Sequence, residues 1–220
     1  SLYYIDRKTY RQKHTPTTNQ QLTRMILNDN PGLTATSLYW VPEGGTNQFA
    51  IKGASEIASF IPDNSDYVCV PCGTGGTIAG IINGLAFSPS FTGQVIGFPA
   101  MKGGEFLNKV ISELLKTQYP HTLLEGSQQP SWRLLCNNHF GGFGKINRSL
   151  AQFIQDFEKK HNIELDPIYT AKMMYAIVSL ISDDFFPEGS QIVAVHTGGL
   201  QGKRGMEQSI NALVSKDKSV

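Results

Sequence analysis

The sequence predicts an α/β protein with an open, mostly parallel twisted sheet carrying helices on both faces. Short, unbroken runs rich in Val and Ile alternate with stretches that are apolar at helical spacing, the pattern of strands buried on both sides. Glycine-rich turns follow two of those runs, at Gly73–Gly76 and Gly198–Gly199. The 220 residues are 40% hydrophobic and 17% charged, enough for one large domain or one domain plus part of another.

In chain order, Leu2 to Ile5 is a short β-prone run. A helix is expected from Gln20 to Leu27, before Asp29-Asn30-Pro31-Gly32 stops it. Leu38 to Val41 reads as a strand cut by Pro42, and the loop through Asn47 feeds a helix reaching Phe60 with Ile51, Ala54, Ile57 and Ala58 on one face. From there the order is strand (Tyr67 to Val70), helix (Thr77 to Phe87), strand (Gln94 to Phe98) and helix (Phe106 to Leu115). An irregular stretch from Thr117 to Lys145 holds Trp132, His139 and Gly141-Gly142-Phe143-Gly144. Its aromatic and glycine content is unlike a plain solvent loop. Helices from Asn147 to His161 and Tyr169 to Ile181 follow, and Gln191 to His196 is the last strand.

The composition excludes several classes. Net charge is +1 and the basic residues form no cluster beyond Lys159-Lys160, so no nucleic-acid partner is expected. Apolar runs such as Ile78 to Phe87 are too short and interrupted to span a bilayer, so no membrane partner is expected either. Three cysteines, an odd count, fit a reducing compartment, and a cytoplasmic location is expected. Cys69-x-x-Cys72 could be a redox pair, but Cys69 falls inside an apolar strand pattern and reads as a small buried side chain. One such pair without a nearby His makes no zinc site, and no metal is expected.

The strongest local signal is the run from Val70 to Thr77 (VPCGTGGT), a glycine turn between a buried strand and an apolar helix. Glycines let successive N–H groups point at one spot, and the helix start adds unpaired N–H groups and partial positive charge. Thr74 and Thr77 add hydroxyls, giving an anion cradle suited to phosphate. A Walker loop would need Gly-Lys-Ser/Thr here, and a dinucleotide fingerprint a third glycine where Ile78 stands and an acidic residue about 20 positions on. A tight turn without a ligand is the alternative. His196-Thr197-Gly198-Gly199 closes the last strand, and ligands of open parallel sheets bind at such strand ends, so the two turns are expected to flank one crevice. Leu165-Asp166-Pro167-Ile168-Tyr169-Thr170 precedes a helix; by itself it reads as a cap and a half-buried aromatic.

Jointly, Pro42 to Asn47 (PEGGTN), Cys72 to Gly80, Leu165 to Lys172 (LDPIYTAK) and Val195 to Gly202 (VHTGGLQG) resemble the family of 1-aminocyclopropane-1-carboxylate deaminases and D-cysteine desulfhydrases, within the fold-type II pyridoxal-phosphate (PLP) enzymes. The resemblance spans nearly the whole chain. It implies a tryptophan-synthase-β-like fold, with residues 1–46 the remainder of a small domain and 47–220 the large PLP-binding domain. It further implies a homodimer acting on a small amino acid, as a lyase or deaminase releasing an α-keto acid and ammonia. Gly73, Thr74, Gly75, Gly76 and Thr77 would hold the cofactor phosphate. Tyr169, the implied catalytic residue, would lie against the pyridine ring, Thr197 would meet the ring nitrogen, and Glu43 and Gly44 would sit near the cofactor. A hydroxyl at that nitrogen weakens the ring as an electron sink, which suits elimination.

Thr170 stands where the deaminase branch carries Glu, and with Val195-His196-Thr197 it leans the resemblance toward the desulfhydrases. The family's Schiff-base lysine segment, of G-N-K-x-R-K type, is absent. Lys172 follows Tyr169 but reads as a packing or surface-charge residue. Because SLYYIDR reads as an element in progress, about a third of the enzyme, including the lysine, is expected to lie outside this chain, leaving an inactive fragment. The competing readings are a non-catalytic phosphate- or PLP-binding domain and another fold-type II enzyme.

Overall fold

A computed structural model describes residues 1–13, 15–118 and 128–215. The chain divides into two compact units, Ser1–Val41 and Pro42–Val220. In the first, α1 (Arg7–Arg11) is capped by the Asp6 carboxylate, which accepts from the N–H groups of Lys8 and Thr9. Helix α2 (Pro16–Asp29) starts four residues earlier than expected. The Thr15 hydroxyl accepts from the Thr18 N–H, and Pro16 fills the first helical position, where a missing N–H costs nothing. Neither Leu2 to Ile5 nor Leu38 to Val41 is a strand. A strand needs a ladder partner, and among the described residues every ladder lies in the second unit.

In the second unit α3 (Gln48–Ser55) is capped by Asn47 and continues as a 3-10 turn over Glu56–Phe60. A four-stranded sheet follows, with β1 (Tyr67–Cys72), β2 (Gln94–Pro99), β3 (Ser131–Leu134) and β4 (Ile192–Ala194) all parallel in the order β3-β2-β1-β4. Side chains alternate along β1. Val68, Val70 and Cys72 enter one apolar layer with Ile51, Ile78, Ile82 and Ile111, while Cys69 enters the other with Ile96, Met173 and Ile177. The two cysteines therefore face opposite sides of the sheet, and burial pushes both thiols up to about 12, which removes the redox-pair alternative.

On the first face lie α4 (Gly76–Leu85) and α5 (Leu107–Gln118). Helices α6 (Arg148–His161) and α7 (Thr170–Ser182) precede β4, with α7 on the second face, and α8 (Leu200–Ser215) follows it, packed on α6. Strand β3 falls in the stretch expected to be irregular, part of which (residues 119–127) lies outside the described residues. Its four residues alternate between exposed and half-buried: Trp132 and Leu134 pack on the first layer, and Arg133 lies 4.6 Å above the Phe185 ring. So short an edge strand carries no apolar run to reveal it. Helix α8 was obscured by Gly202 and Gly205, although Met206, Ile210 and Leu213 keep helical spacing.

Helix α4 is buried almost all round, and Gly80 and Gly84 let it approach α3 at backbone distance. A Cβ on Gly84 would overlap the Ser55 carbonyl oxygen, whereas one on Gly53 of α3 would meet nothing within 4 Å. Gly84→Ala is therefore expected to destabilise the chain by about 2 kcal/mol, overpacking outweighing a propensity gain of about 1 kcal/mol. Gly53→Ala is expected to stabilise it by about 0.5–1 kcal/mol. Urea unfolding midpoints of the two variants check both signs.

Candidate functional site

The connections β1–α4–β2 and β2–α5–β3 run outward on one face, whereas β4 returns to the other side of β1 after α7 on the opposite face. The winding thus reverses between β1 and β4, and a crevice opens beyond their C-terminal ends. It has a volume of about 330 Å³ and is walled by the turn Gly73–Thr77, Gly44, Tyr169, and Thr197–Gly199. The residues expected from sequence at the crevice are therefore brought together, Glu43 excepted: it does not line the cleft, but its charge acts on Tyr169.

The first wall is backbone. Gly75 adopts φ 87°, a left-handed conformation that favours glycine, and α4 begins at the next residue. The first N–H groups of α4 have no carbonyl partner within their own helix and open toward the crevice. A side chain at Gly73 would narrow it, because a Cβ there would stand 3.1 Å from the Tyr169 hydroxyl; a Cβ on Gly76 would instead press on Thr46 behind the turn, 3.0 Å from its hydroxyl. The Thr46 and Thr74 hydroxyls are hydrogen-bonded to each other, and a Cβ on Gly44 would strike Thr74. Thr46 thus supports the turn, a role that only the long-range contact reveals. Gln201, at the start of α8, also lines the cleft and was not anticipated.

The second wall rests on Asp166, which is 1% exposed. Its carboxylate accepts from the N–H groups of Ile168, Tyr169 and Thr170 at 2.8–2.9 Å and from the Thr170 hydroxyl at 2.7 Å. The Thr170 hydroxyl in turn accepts from the Asp166 N–H at 2.9 Å. This reciprocal cap starts α7 and aims Tyr169, and it leaves Thr170 buried and occupied rather than facing the crevice. Burial first, then the charges of Asp166 and Glu43, raise the phenol of Tyr169 above its ordinary pKa.

The third wall is the turn after β4. His196 Nδ1 accepts from the Gly198 N–H at 3.2 Å, and its Nε2 lies 2.8 Å from the Glu164 carbonyl oxygen, which requires the proton on Nε2. Gly198 and Gly199 have φ of 80° and 84°, and the space beside Gly199 is taken by the Asp166 carboxylate. The Tyr169 and Thr197 walls are therefore held in register.

Lys172 is buried rather than a surface charge. Its ammonium donates to the carbonyls of Ala100, His139 and Gly142, and it does not line the cleft; no described lining residue is a lysine.

The sequence profile of the family described as "Pyridoxal-phosphate dependent enzyme" matches residues 9–198. The chain belongs to this family. A Pyrococcus furiosus protein assigned as a 1-aminocyclopropane-1-carboxylate deaminase is 32% identical over 172 residues, which are 74% of this chain and 50% of that protein. The Arabidopsis thaliana mitochondrial protein named bifunctional D-cysteine desulfhydrase/1-aminocyclopropane-1-carboxylate deaminase is 27% identical over 176 residues, 74% of this chain and 42% of its own length. A crystal structure of an ACC deaminase homologue superposes with a TM-score of 0.74 at 24% identity, covering 97% of this chain and 62% of that one, and it bears out the fold-type II architecture. The chain spans about half the length of the curated relatives it matches. The cofactor of this pyridoxal-phosphate dependent family is pyridoxal 5'-phosphate.

Because one carboxylate serves three backbone donors and a hydroxyl, Asp166→Ala is expected to destabilise the chain by about 3 kcal/mol. Asp166→Asn, which keeps one acceptor oxygen, is expected to cost about half as much. Urea unfolding of the two variants measures the difference.

Proposed function

We propose that the crevice beyond β1 and β4 binds pyridoxal 5'-phosphate through its phosphate, and that the whole protein is a PLP-dependent lyase or deaminase of the D-cysteine-desulfhydrase or 1-aminocyclopropane-1-carboxylate-deaminase kind. The observation that carries this reading is the meeting of three segments far apart in sequence: the turn Gly73–Thr77 on a helix start, Tyr169, and Thr197. The residues fit the group. The cradle is backbone that a Cβ on Gly73 would narrow against Tyr169, and it opens on the positive end of α4.

In this reading Gly73, Gly75 and Gly76 present N–H groups to the phosphate, and Thr74 and Thr77 add hydroxyls. Thr197 donates or accepts at the ring nitrogen without holding a proton there. The bound cofactor supplies an electron sink for the α-carbon of a small amino acid. Tyr169, with its phenol kept protonated by burial and by Asp166 and Glu43, would hold a proton that it can deliver to the reacting amino acid. Thr170 in place of Glu favours the desulfhydrase side. Release of an α-keto acid and ammonia, a homodimeric assembly and a cytoplasmic location belong to the same proposal.

One observation supports a second reading for the chain as it stands. With no lysine along the described cleft, these residues would hold the cofactor by its phosphate alone, as a binding domain without turnover. Lys172 offers no substitute, because all three of its donors are engaged.

Fluorescence titration with pyridoxal 5'-phosphate is expected to show saturable binding that inorganic phosphate competes away. Gly73→Val, whose side chain would stand against Tyr169 in the crevice, is expected to weaken it by about tenfold or more, and Thr77→Val by about fivefold. Borohydride treatment followed by mass spectrometry should leave no pyridoxyl adduct on Lys172. Binding that ignores both phosphate and Gly73→Val sinks the cofactor assignment; an adduct on Lys172 sinks the reading without a lysine.

A further inference from the structure

Lys172 lies in the first turn of α7 and is 2% exposed, yet cofactor binding uses no cation there. Its Nζ donates to the carbonyls of Ala100 at 3.0 Å, His139 at 2.9 Å and Gly142 at 2.8 Å. An ammonium has three donors, and here each meets an acceptor. Two of the acceptors belong to a turn that few sequences could follow, with φ of 53° at Phe140, 96° at Gly141, 126° at Gly142 and 66° at Gly144. Backbone of this kind persists only when its surroundings fix it. The turn ends by setting the ring of Phe143 edge-on to that of Tyr169, with centroids 5.9 Å apart and planes at 67°.

We propose that Lys172 is a positioning residue for the Tyr169 phenol, acting through the turn His139–Gly144 and the ring of Phe143. This rests on the reading above only for what the phenol does in the reaction. The ammonium sits three residues beyond Tyr169 on the same helix, so it ties the turn to the helical segment that carries the phenol. The Ala100 carbonyl, just past β2, anchors both to the sheet. Phe143 then covers an edge of Tyr169 and keeps water from it. Burial is the first cause of the raised phenol pKa, ahead of Asp166 and Glu43, so uncovering that edge relieves part of the shift. Burial also pulls Lys172 down to about 8, with Asp166 offsetting part of the fall, which leaves it mainly charged at neutral pH.

The test is a titration of the chain labelled with [13Cζ]tyrosine, followed by NMR through alkaline pH without cofactor, with the Tyr169 resonance assigned from Tyr169→Phe. Lys172→Gln and Phe143→Ala are each expected to lower the Tyr169 midpoint by about half a pH unit; the neutral amine that Lys172 becomes at that pH still donates two N–H groups, which the shorter glutamine cannot bring to the same carbonyls. The double variant is expected to go no lower than either single one, because both act along one route. Phe143 is 56% exposed, so its truncation spares the core. An unchanged Tyr169 midpoint in Phe143→Ala overturns the proposal whatever Lys172→Gln does to folding, and so do additive shifts in the double variant. Since no cofactor is present, a chain that shows these shifts but binds no pyridoxal 5'-phosphate overturns the cofactor reading alone.

Discussion

A parallel sheet wound outward in both directions from β1 leaves one place where connecting chain does not cover the strand ends, and the rest of the site depends on that constraint. The turn after β1 leads to α4 on one face, and the turn after β4 leads to α8 beyond the other. The two chains leave in different directions and cannot fill the gap between them. Ladder pairing continues one step past β4, with the Val195 N–H donating to the Cys69 carbonyl at 2.9 Å, so the mouth of the crevice is fixed by the sheet itself. Close approach of α3 to α4 through Gly80 and Gly84 then sets the helix whose first turn forms the crevice floor.

The phosphate proposed for this crevice would be held without a basic side chain among the described lining residues. Backbone N–H groups at a helix start supply partial charge that needs no counter-ion and no flexible side chain to be ordered. The polar side chains around it are the hydroxyls of Thr74, Thr77, Thr197 and Tyr169 and the neutral amide of Gln201. Such a wall is neutral overall, and it leaves the fixed charges, Asp166 and Glu43, one layer back, where they act on the Tyr169 phenol. In the proposed reading, phosphate recognition and control of a proton fall to different elements: the β1–α4 turn would do the first, and the start of α7 the second.

The central layers were legible in the sequence because their periodicity is strong. Val68, Cys69 and Val70 are buried without interruption, as are Val95 and Ile96, and the helices between them carry apolar residues at steady spacing. Glycines announced the two turns because positive φ and close approach leave few alternatives at Gly75, Gly198 and Gly199. What stayed hidden depends on partners distant in sequence. Leu38 to Val41 has strand composition but no ladder to join among the described residues, and β3 has a ladder but only four residues. Thr46 looks like any loop threonine until Thr74 is found against it, 28 residues away. Asp166 was readable as a cap, but its four-fold engagement and the reciprocal bond from Thr170 were not.

Lys172 shows how a residue's type and its sequence distance from a site can mislead. It is a lysine three residues from Tyr169, with a pKa lowered to about 8, which are the properties expected of an amine prepared for nucleophilic work. Reaction with a carbonyl compound requires a neutral amine whose lone pair is free and reachable. Here the nitrogen is enclosed by three carbonyl oxygens and sealed from solvent, so each acceptor favours the charged form and none of the space around it could admit a cofactor. Losing a proton would leave two N–H groups for three carbonyls and strand one acceptor in the interior, at a cost of about 1–3 kcal/mol. Desolvation lowers the affinity for the proton, but the carbonyl cage decides what the group is for. The same nitrogen that would have to move to act as a nucleophile is the one that keeps Gly142, and through it Phe143, in place.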